Sequence, residues 1–102
     1  MDPELVREVV ASIPYGAWMS YGDVARAAGG GDTHARTLNG RFIRDETPGA
    51  HRVLKSDGTV GATALGNAAE VRRRLKTKGV EFDNGRAAPS ARVRPEPAEA
   101  PA

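Results

Sequence analysis

The sequence predicts a single, mainly α-helical domain with a small β-hairpin, followed by a short tail. Three observations lead to this fold class. Apolar residues recur at helical spacing in several segments, three consecutive glycines separate two of these segments, and a Ser-Asp-Gly turn divides two short β-prone runs. The chain has 102 residues, of which 5% are aromatic, so the core must be small and mostly aliphatic.

The first helix has clear signals at both ends. Asp2 is suited to the N-cap and Pro3 to the first helical position, where the missing N–H of proline costs nothing. The helix should end near Ser12, because the residue before Pro14 is biased away from helical angles. Its apolar positions are Leu5, Val6, Val9, Val10 and Ile13.

Two further short helices form a predicted helix-turn-helix. Ser20 and Asp23 make a capping pair that opens a helix from Tyr21 to about Ala28. After the glycines at 29–31, a third helix is expected from about His34 to Arg44. Asp32 or Thr33 would cap it, and Leu38, Phe42 and Ile43 would face inward. Two short helices joined by a tight glycine turn are typical of this motif.

The rest of the body should contain the hairpin and a last helix. Residues 50–55 and Thr59-Val60 flank the turn at 56–58 and predict a small hairpin or wing. Asn67 and Glu70 then cap a helix that runs to about Lys78 and stops at Gly79.

The domain is therefore predicted to span residues 1–83. Residues 84–102 are rich in Ala and Pro without periodicity, which predicts a disordered tail.

Charge is concentrated in the middle of the chain. Residues 34–78 carry ten Lys or Arg residues and four acidic residues, a basic balance that favours a nucleic-acid partner. For Arg72, Arg73 and Arg74 alone, a solvated helix face is an equally good explanation.

Composition excludes several classes of chemistry. With no cysteine there is no disulfide, no thiolate metal site and no cysteine nucleophile in this chain. No run approaches the ~20 apolar residues of a membrane span, and the start of the chain lacks a signal-peptide pattern. We therefore expect a cytoplasmic protein that does not associate with membranes.

The histidines and glycines give no evidence of a cofactor or metal. His34 has no second ligand at metal-site spacing, and His51 has no evident nucleophile or orienting acid. The glycines lack the spacing of a phosphate-binding loop. Neither a cofactor nor a metal is expected.

The third helix carries the basic residues Arg36, Arg41 and Arg44, and helices in this position of the motif face DNA. Arg36 lies among small residues that permit close approach to the backbone, and it is long enough to insert into the base stack. A simple pairing with a phosphate or an acidic neighbour is the alternative.

Several motifs resemble the C-terminal DNA-binding domain of the O6-alkylguanine-DNA alkyltransferases over about residues 3–82. They are Ile13-Pro14-Tyr15-Gly16, Ser20-Tyr21-Gly22-Asp23-Val24-Ala25, Ala35-Arg36, His51-Arg52-Val53 and Gly58-Thr59-Val60-Gly61. This resemblance implies a winged helix-turn-helix fold. The family's signature is Pro-Cys-His-Arg-Val, and its cysteine takes the alkyl group from a flipped guanine.

Two positions depart from the family's chemistry. Ala50 stands where the acceptor cysteine would be, and Lys78 stands where the family has an acid that orients the histidine. A methyl group has no lone pair, so Ala50 cannot accept an alkyl group. The pattern resembles the alkyltransferase-like proteins, which lack the cysteine.

The resemblance to these proteins implies a function without catalysis. The expected partner is double-stranded DNA that contains O6-alkylguanine, whose damaged base is flipped into a pocket without repair. The lesion is then flagged to nucleotide excision repair proteins. A monomer with no catalytic residue is expected.

The resemblance also implies the roles of individual residues. Tyr21 would crowd a phosphate and promote nucleotide rotation, and Arg36 would fill the gap left by the flipped base. The implied DNA contacts are Tyr21, Ala35, Arg36, Thr37, Arg52 and Ser56. The implied alkylguanine pocket consists of Tyr21, Ala50, His51, Val53, Thr63, Ala64 and Leu65.

Two other classes of function remain open. A winged-helix transcription regulator would bind undamaged DNA as a dimer, which accounts for the motif and the charge. An enzyme that uses His51 on a flipped base would release a product with turnover. Comparison of damaged with undamaged DNA distinguishes the regulator, and product release distinguishes the enzyme.

Overall fold

The computed structural model describes residues 2–61 and 64–94. Its α-helices are α1 (Pro3–Ala11), α2 (Tyr21–Ala27), α3 (Asp32–Ala35), α4 (Leu38–Asp45) and α5 (Ala68–Thr77). Its strands are β1 (Met19–Ser20), β2 (Val53–Leu54), β3 (Phe82–Asp83) and β4 (Arg86–Ala87). Short 3-10 helices occupy Ala50–Arg52, Ala64–Gly66 and Pro89–Ala91. The mainly helical fold with a small hairpin is confirmed.

Three helices begin as their capping residues predict. The Asp2 side chain accepts the N–H of Glu4 at 2.9 Å at the start of α1. Ser20 and Asp23 form a reciprocal capping box at the start of α2. Asn67 accepts the N–H of Glu70 at the start of α5.

The predicted third helix is wrong as a single element, because it is divided into α3 and α4. In a continuous helix the carbonyl of His34 would accept the N–H of Leu38. Instead it accepts both the N–H and the hydroxyl of Thr37, at 3.1 and 2.9 Å. The break places Arg36 between two helices. Ile43, expected to face inward, is exposed.

The predicted central hairpin is present only at its turn, where the N–H of Lys55 donates to the carbonyl of Thr59 at 3.2 Å. Residues 50–52 form a 3-10 helix, and β2 pairs in parallel with β1 rather than with Thr59-Val60. The turn itself is present, since the N–H of Gly58 donates to the carbonyl of Lys55 at 2.8 Å. Both residues of β2 are buried, as is typical of strands in parallel pairs.

The small antiparallel hairpin is formed by β3 and β4 instead. It lies in part beyond residue 83, so residues 84–94 belong to the folded body and not to the predicted tail. The N–H of Trp18 donates to the carbonyl of Ala91, and the carbonyl of Trp18 accepts the N–H of Val93. Trp18 Nε1 donates to the carbonyl of Ala88 at 2.9 Å. The predicted tail at 95–102 lies outside the described residues.

Two groups of buried side chains form the core. One joins α1, α2 and α4 to β2, and the other joins Trp18 and Leu54 to α5 and β4. Leu65 packs against both groups. In the part of the chain that the structure describes, no helix is long and apolar enough to cross a membrane.

Candidate nucleic-acid interface

A cavity of about 330 Å³ lies where α2 begins, between the α3–α4 junction and the chain after β2. We call it the Tyr21 cavity. It brings together four residues implied by the family resemblance, from segments that are distant in sequence. Its lining residues are Tyr21, Ala35, Arg36, Asn39, Lys55, Gly61 and Ala64.

Tyr21 is held in this cavity by its position and by a ring contact. It is the first residue of α2, directly after the N-cap Ser20, so the capping box fixes the direction of its backbone. Its ring stacks on Phe42 with centroids 6.3 Å apart and planes 25° apart. Burial raises the pKa of the Tyr21 hydroxyl above its usual value of 10.0, so it is protonated at neutral pH.

Arg36 is available for contact with a ligand. It lies at the break between α3 and α4, its side chain is exposed, and it forms no ion pair with any residue that the structure describes. Its chain neighbours are Ala35 and Thr37, and Gly40 lies four residues further on, inside α4. A long, exposed cation between two helices can reach beyond the protein surface.

A second cavity of about 440 Å³ lies around Ala50, and we call it the Ala50 cavity. Leu65 and Phe42 form apolar parts of its wall, while His51 and Arg74 contribute polar groups. Its lining residues are Phe42, Ile43, Glu46, Thr47, Pro48, Gly49, Ala50, His51, Leu65 and Arg74.

The two cavities are coupled by direct contacts. The N–H of Leu65 donates to Asn39 Oδ1 at 2.9 Å, and Leu65 has a φ of 50°, in the left-handed region. Asn39 lines the Tyr21 cavity and Leu65 lines the Ala50 cavity. The stacked rings of Tyr21 and Phe42 make a second connection.

His51 is surrounded by positive charge. Burial, followed by the charges of Arg52, Arg74 and Lys78, lowers its pKa from 6.5 to about 4. His51 is therefore neutral at pH 7. Its buried Nε2 has no hydrogen-bond partner among the described residues. An imidazole in this environment is a poor acceptor of a proton, which disfavours its use as a general base.

The remaining residues implied by the resemblance lie elsewhere. Val53 is buried in the core, and Arg52 lies over the ring of Tyr15 with its Cζ 4.5 Å from the ring centroid. Ser56 is exposed, and its carbonyl accepts a hydrogen bond from Arg92. Thr37 is exposed beside Arg36, and Thr63 lies outside the described residues.

Sequence reasoning missed ten of the residues that line the two cavities, and five of these lie between Phe42 and Ala50 in the chain: Ile43, Glu46, Thr47, Pro48 and Gly49. Asn39 lies three residues after Arg36, so helical spacing could have indicated it. Phe42 had been assigned to the core alone. Lys55, Gly61 and Arg74 join the cavities through tertiary packing, for which the sequence carries no local signal.

The helix-turn-helix and the cavity beside it define a class of DNA-binding domain. The model of the 6-O-methylguanine DNA methyltransferase DNA-binding domain matches residues 3–80, and the chain belongs to this family. The family is named for methyl transfer, but this chain has no cysteine.

Curated relatives from archaea are similar over part of their length. A methylated-DNA–protein-cysteine methyltransferase of Methanopyrus kandleri is 39% identical over 62 residues, which is 58% of this chain and 45% of the relative. One of Methanothermobacter thermautotrophicus is 36% identical over 81 residues, which is 76% of this chain and 44% of the relative. The chain thus spans less than half the length of these two relatives.

Two solved structures are similar over nearly the whole chain. One is S. pombe Atl1 in complex with damaged DNA containing O6-carboxymethylguanine. It has a TM-score of 0.70 and 30% identity, and the match covers 90% of this chain and 94% of that one. The other is an S. pombe ATL in complex with DNA. It has a TM-score of 0.69 and 30% identity, and the match covers 88% of this chain and 92% of that one.

Proposed function

We propose that this chain binds double-stranded DNA at O6-alkylguanine, turns the damaged nucleotide out of the helix and holds its base without removing the alkyl group. The bound complex then flags the lesion to nucleotide excision repair proteins. The protein acts as a monomer.

The observation that carries this proposal is the shared cavity of Tyr21 and Arg36. A nucleotide that leaves the duplex needs a group that pushes its phosphate and a group that fills the gap. Tyr21 provides a ring at a helix start, held by its stack on Phe42, and Arg36 provides a long, exposed cation between two helices. Both kinds of contact are used by proteins that extrude bases.

Ala50 supports binding without transfer. Its methyl group has no lone pair, so it cannot attack the alkyl carbon of the lesion. Because alanine is smaller than cysteine, it leaves space for the alkyl group, and the neighbouring Leu65 and Phe42 offer apolar contact. A hydrophobic fit of this kind is worth ~1–3 kcal/mol per methylene-sized difference.

The energetics favour damaged over intact DNA. Turning out a base costs a few kcal/mol, and the cost is lower for a base that pairs badly. Lys55 lines the Tyr21 cavity and adds a positive charge for a phosphate. Such contacts raise the affinity for all DNA equally, so discrimination depends on the extruded base.

The test compares two short duplexes that differ by a single O6-methylguanine, by fluorescence anisotropy at fixed physiological salt. We expect clearly tighter binding to the modified duplex, with the protein's intact mass unchanged after incubation. Equal affinity for both duplexes would refute lesion recognition and favour a regulator of undamaged DNA. A mass increase of one methyl group would refute binding without transfer.

The signalling step needs a separate measurement. Purified excision repair proteins are added to the complex on the modified duplex, and a further anisotropy increase is expected. The same proteins should give no such increase on the unmodified duplex at matched occupancy. If the anisotropy on the modified duplex does not rise further, the recruitment step is refuted, while lesion binding is unaffected.

A further inference from the structure

A third concave surface lies behind the Ala50 cavity, between α5 and the chain before β1. It encloses about 320 Å³. We call it the basic groove. It shares His51 and Arg74 with the Ala50 cavity and no residue with the Tyr21 cavity. Its lining residues are Tyr15, His51, Arg52, Arg73, Arg74, Thr77 and Lys78.

The side chains that line the basic groove carry positive charge and no negative charge. Four of its residues are Arg or Lys, and none of its lining residues is acidic. Glu70 pairs with both Arg73 and Arg74, so one carboxylate serves two guanidinium groups. Arg52 and Lys78 have no carboxylate within ion-pair distance in the described part of the chain.

Arg52 and Lys78 both contact the ring of Tyr15. The Arg52 Cζ lies 4.5 Å and the Lys78 Nζ 4.8 Å from the centroid of this ring. The two cationic groups are therefore no farther apart than the sum of these distances. Two like charges at this separation repel each other, and a bound anion offsets that repulsion.

Two buried nitrogen atoms at the groove lack a hydrogen-bond partner in the part of the chain that the structure describes. They are Arg52 Nε and His51 Nε2. Buried polar atoms are normally satisfied, so each orphan needs a cause. Arg52 Nε always carries a hydrogen, and it therefore requires an acceptor.

We propose that the basic groove binds a phosphate group. A phosphate has oxygens on several sides, so it can bridge Arg52 and Lys78 and reach Arg73 or Arg74. A guanidinium fork suits such an anion because it offers several donors in one plane. A phosphate between these cations also relieves their mutual repulsion. The phosphate belongs either to the DNA backbone or to a free phosphate compound, and the chemistry of recognition is the same.

The first experiment titrates inorganic phosphate into the full-length protein at constant ionic strength, with chloride as the compensating anion. The Arg52 Nε–H signal is followed by NMR. We expect a saturable shift in the wild type. The shift should be lost in Lys78→Glu and weakened in Lys78→Gln, and it should be retained in the matched control Lys76→Glu. A linear shift in the wild type, or a saturable shift that persists in Lys78→Glu, would overturn the proposal.

A second experiment distinguishes the two sources of phosphate. It is interpreted only if the NMR titration has shown saturable phosphate binding. The affinity for an undamaged duplex is measured at several salt concentrations. If the groove holds a DNA phosphate, Lys78→Gln should reduce the slope of log K against log salt by about 1 relative to Lys76→Gln. Equal slopes assign the groove to a free phosphate compound. Because the titration uses no lesion, its failure is distinguishable from failure of the proposed function.

Discussion

Arg92 anchors the segment 84–94 to the start of α2, and we expect its loss to destabilise the whole domain. Its Nε and Nη2 donate to the two carboxylate oxygens of Asp23 at 2.8 and 3.1 Å. Nη2 also donates to Ser20 Oγ at 3.1 Å, and Nη1 reaches the carbonyl of Ser56 at 3.3 Å. The guanidinium lies 5.5 Å from the Trp18 ring centroid. The substitution Arg92→Met keeps most of the packing and removes these bonds.

The magnitude follows from the burial of Asp23, which is 0% exposed. Removing one member of a buried ion pair costs about 3–5 kcal/mol, because the other charge loses its compensation. Asp23 keeps the N–H of Ser20 and the partly exposed Arg26 as partners, so the lower end of this range applies. We expect a loss of about 3 kcal/mol, which lowers the Tm of a domain of this size by roughly 12–24 °C.

The pH dependence gives an independent check. Burial alone raises the pKa of Asp23, but hydrogen bonds from Arg92 and Ser20 outweigh it and hold the pKa below its usual 3.8. A depressed carboxyl pKa stabilises the fold above the unfolded value, and this stabilisation is lost as pH falls through the folded pKa. The difference between wild type and Arg92→Met should therefore shrink in acid, below about pH 3.8.

The assay is urea unfolding followed by circular dichroism at pH 7 and pH 3, with Arg94→Met as the control. Arg94 is exposed and lies two residues further along the same segment. A loss below about 0.5 kcal/mol in Arg92→Met, the usual range of neutral surface changes, would refute the reasoning. Residues 84–94 would then not belong to the cooperative unit.

Three further predictions concern the cavities. Arg36→Ala should weaken binding to the O6-methylguanine duplex at least tenfold in the anisotropy assay without lowering Tm; affinity equal to that of Arg44→Ala would contradict its role. Wild-type stability should fall as pH is lowered from 6.5 towards 4, because the folded-state pKa of His51 is lowered to about 4, and urea unfolding of His51→Gln should not show this loss. Asn39→Ala should cost about 1–3 kcal/mol in urea unfolding, because it leaves the N–H of Leu65 unpaired; an unchanged midpoint would show that this bond adds nothing.

The helix ends were predictable because their causes are local. Asp2, Ser20 and Asn67 each cap a backbone N–H two or three residues away, so the signal and its partner lie in one short window. The division between α3 and α4 is also local, but it depends on the hydrogen bond that the Thr37 hydroxyl donates to the carbonyl of His34. Threonine can bond to the preceding turn inside a helix or at its end, and the sequence does not distinguish the two.

The segment 84–94 was missed because its partners are distant. Arg92 bonds to Asp23, 69 residues away, and the carbonyl of Ala88 accepts from Trp18, 70 residues away. One local signal was present, because Asn84-Gly85, both at positive φ, form the turn of the β3–β4 hairpin. The Ala- and Pro-rich run after it has no periodicity of its own, so the tertiary contacts order the rest of the segment. The pairing of β2 with β1 is likewise a long-range choice. A two-residue strand is too short for alternation to identify its partner.

The shape of the two cavities does not depend on the chemistry that the chain lacks. The Tyr21–Phe42 stack, the bond from Leu65 to Asn39 and the capping box at α2 use no thiol and no acid beside His51. Alkyl transfer needs a nucleophile and a group to activate it, whereas extrusion of a base needs only a rigid ring, a long cation and a pocket. Replacing the thiol and the acid therefore removes reactivity without disturbing the contacts that shape the pocket. Under the proposed function, holding a damaged base and repairing it therefore rest on different residues.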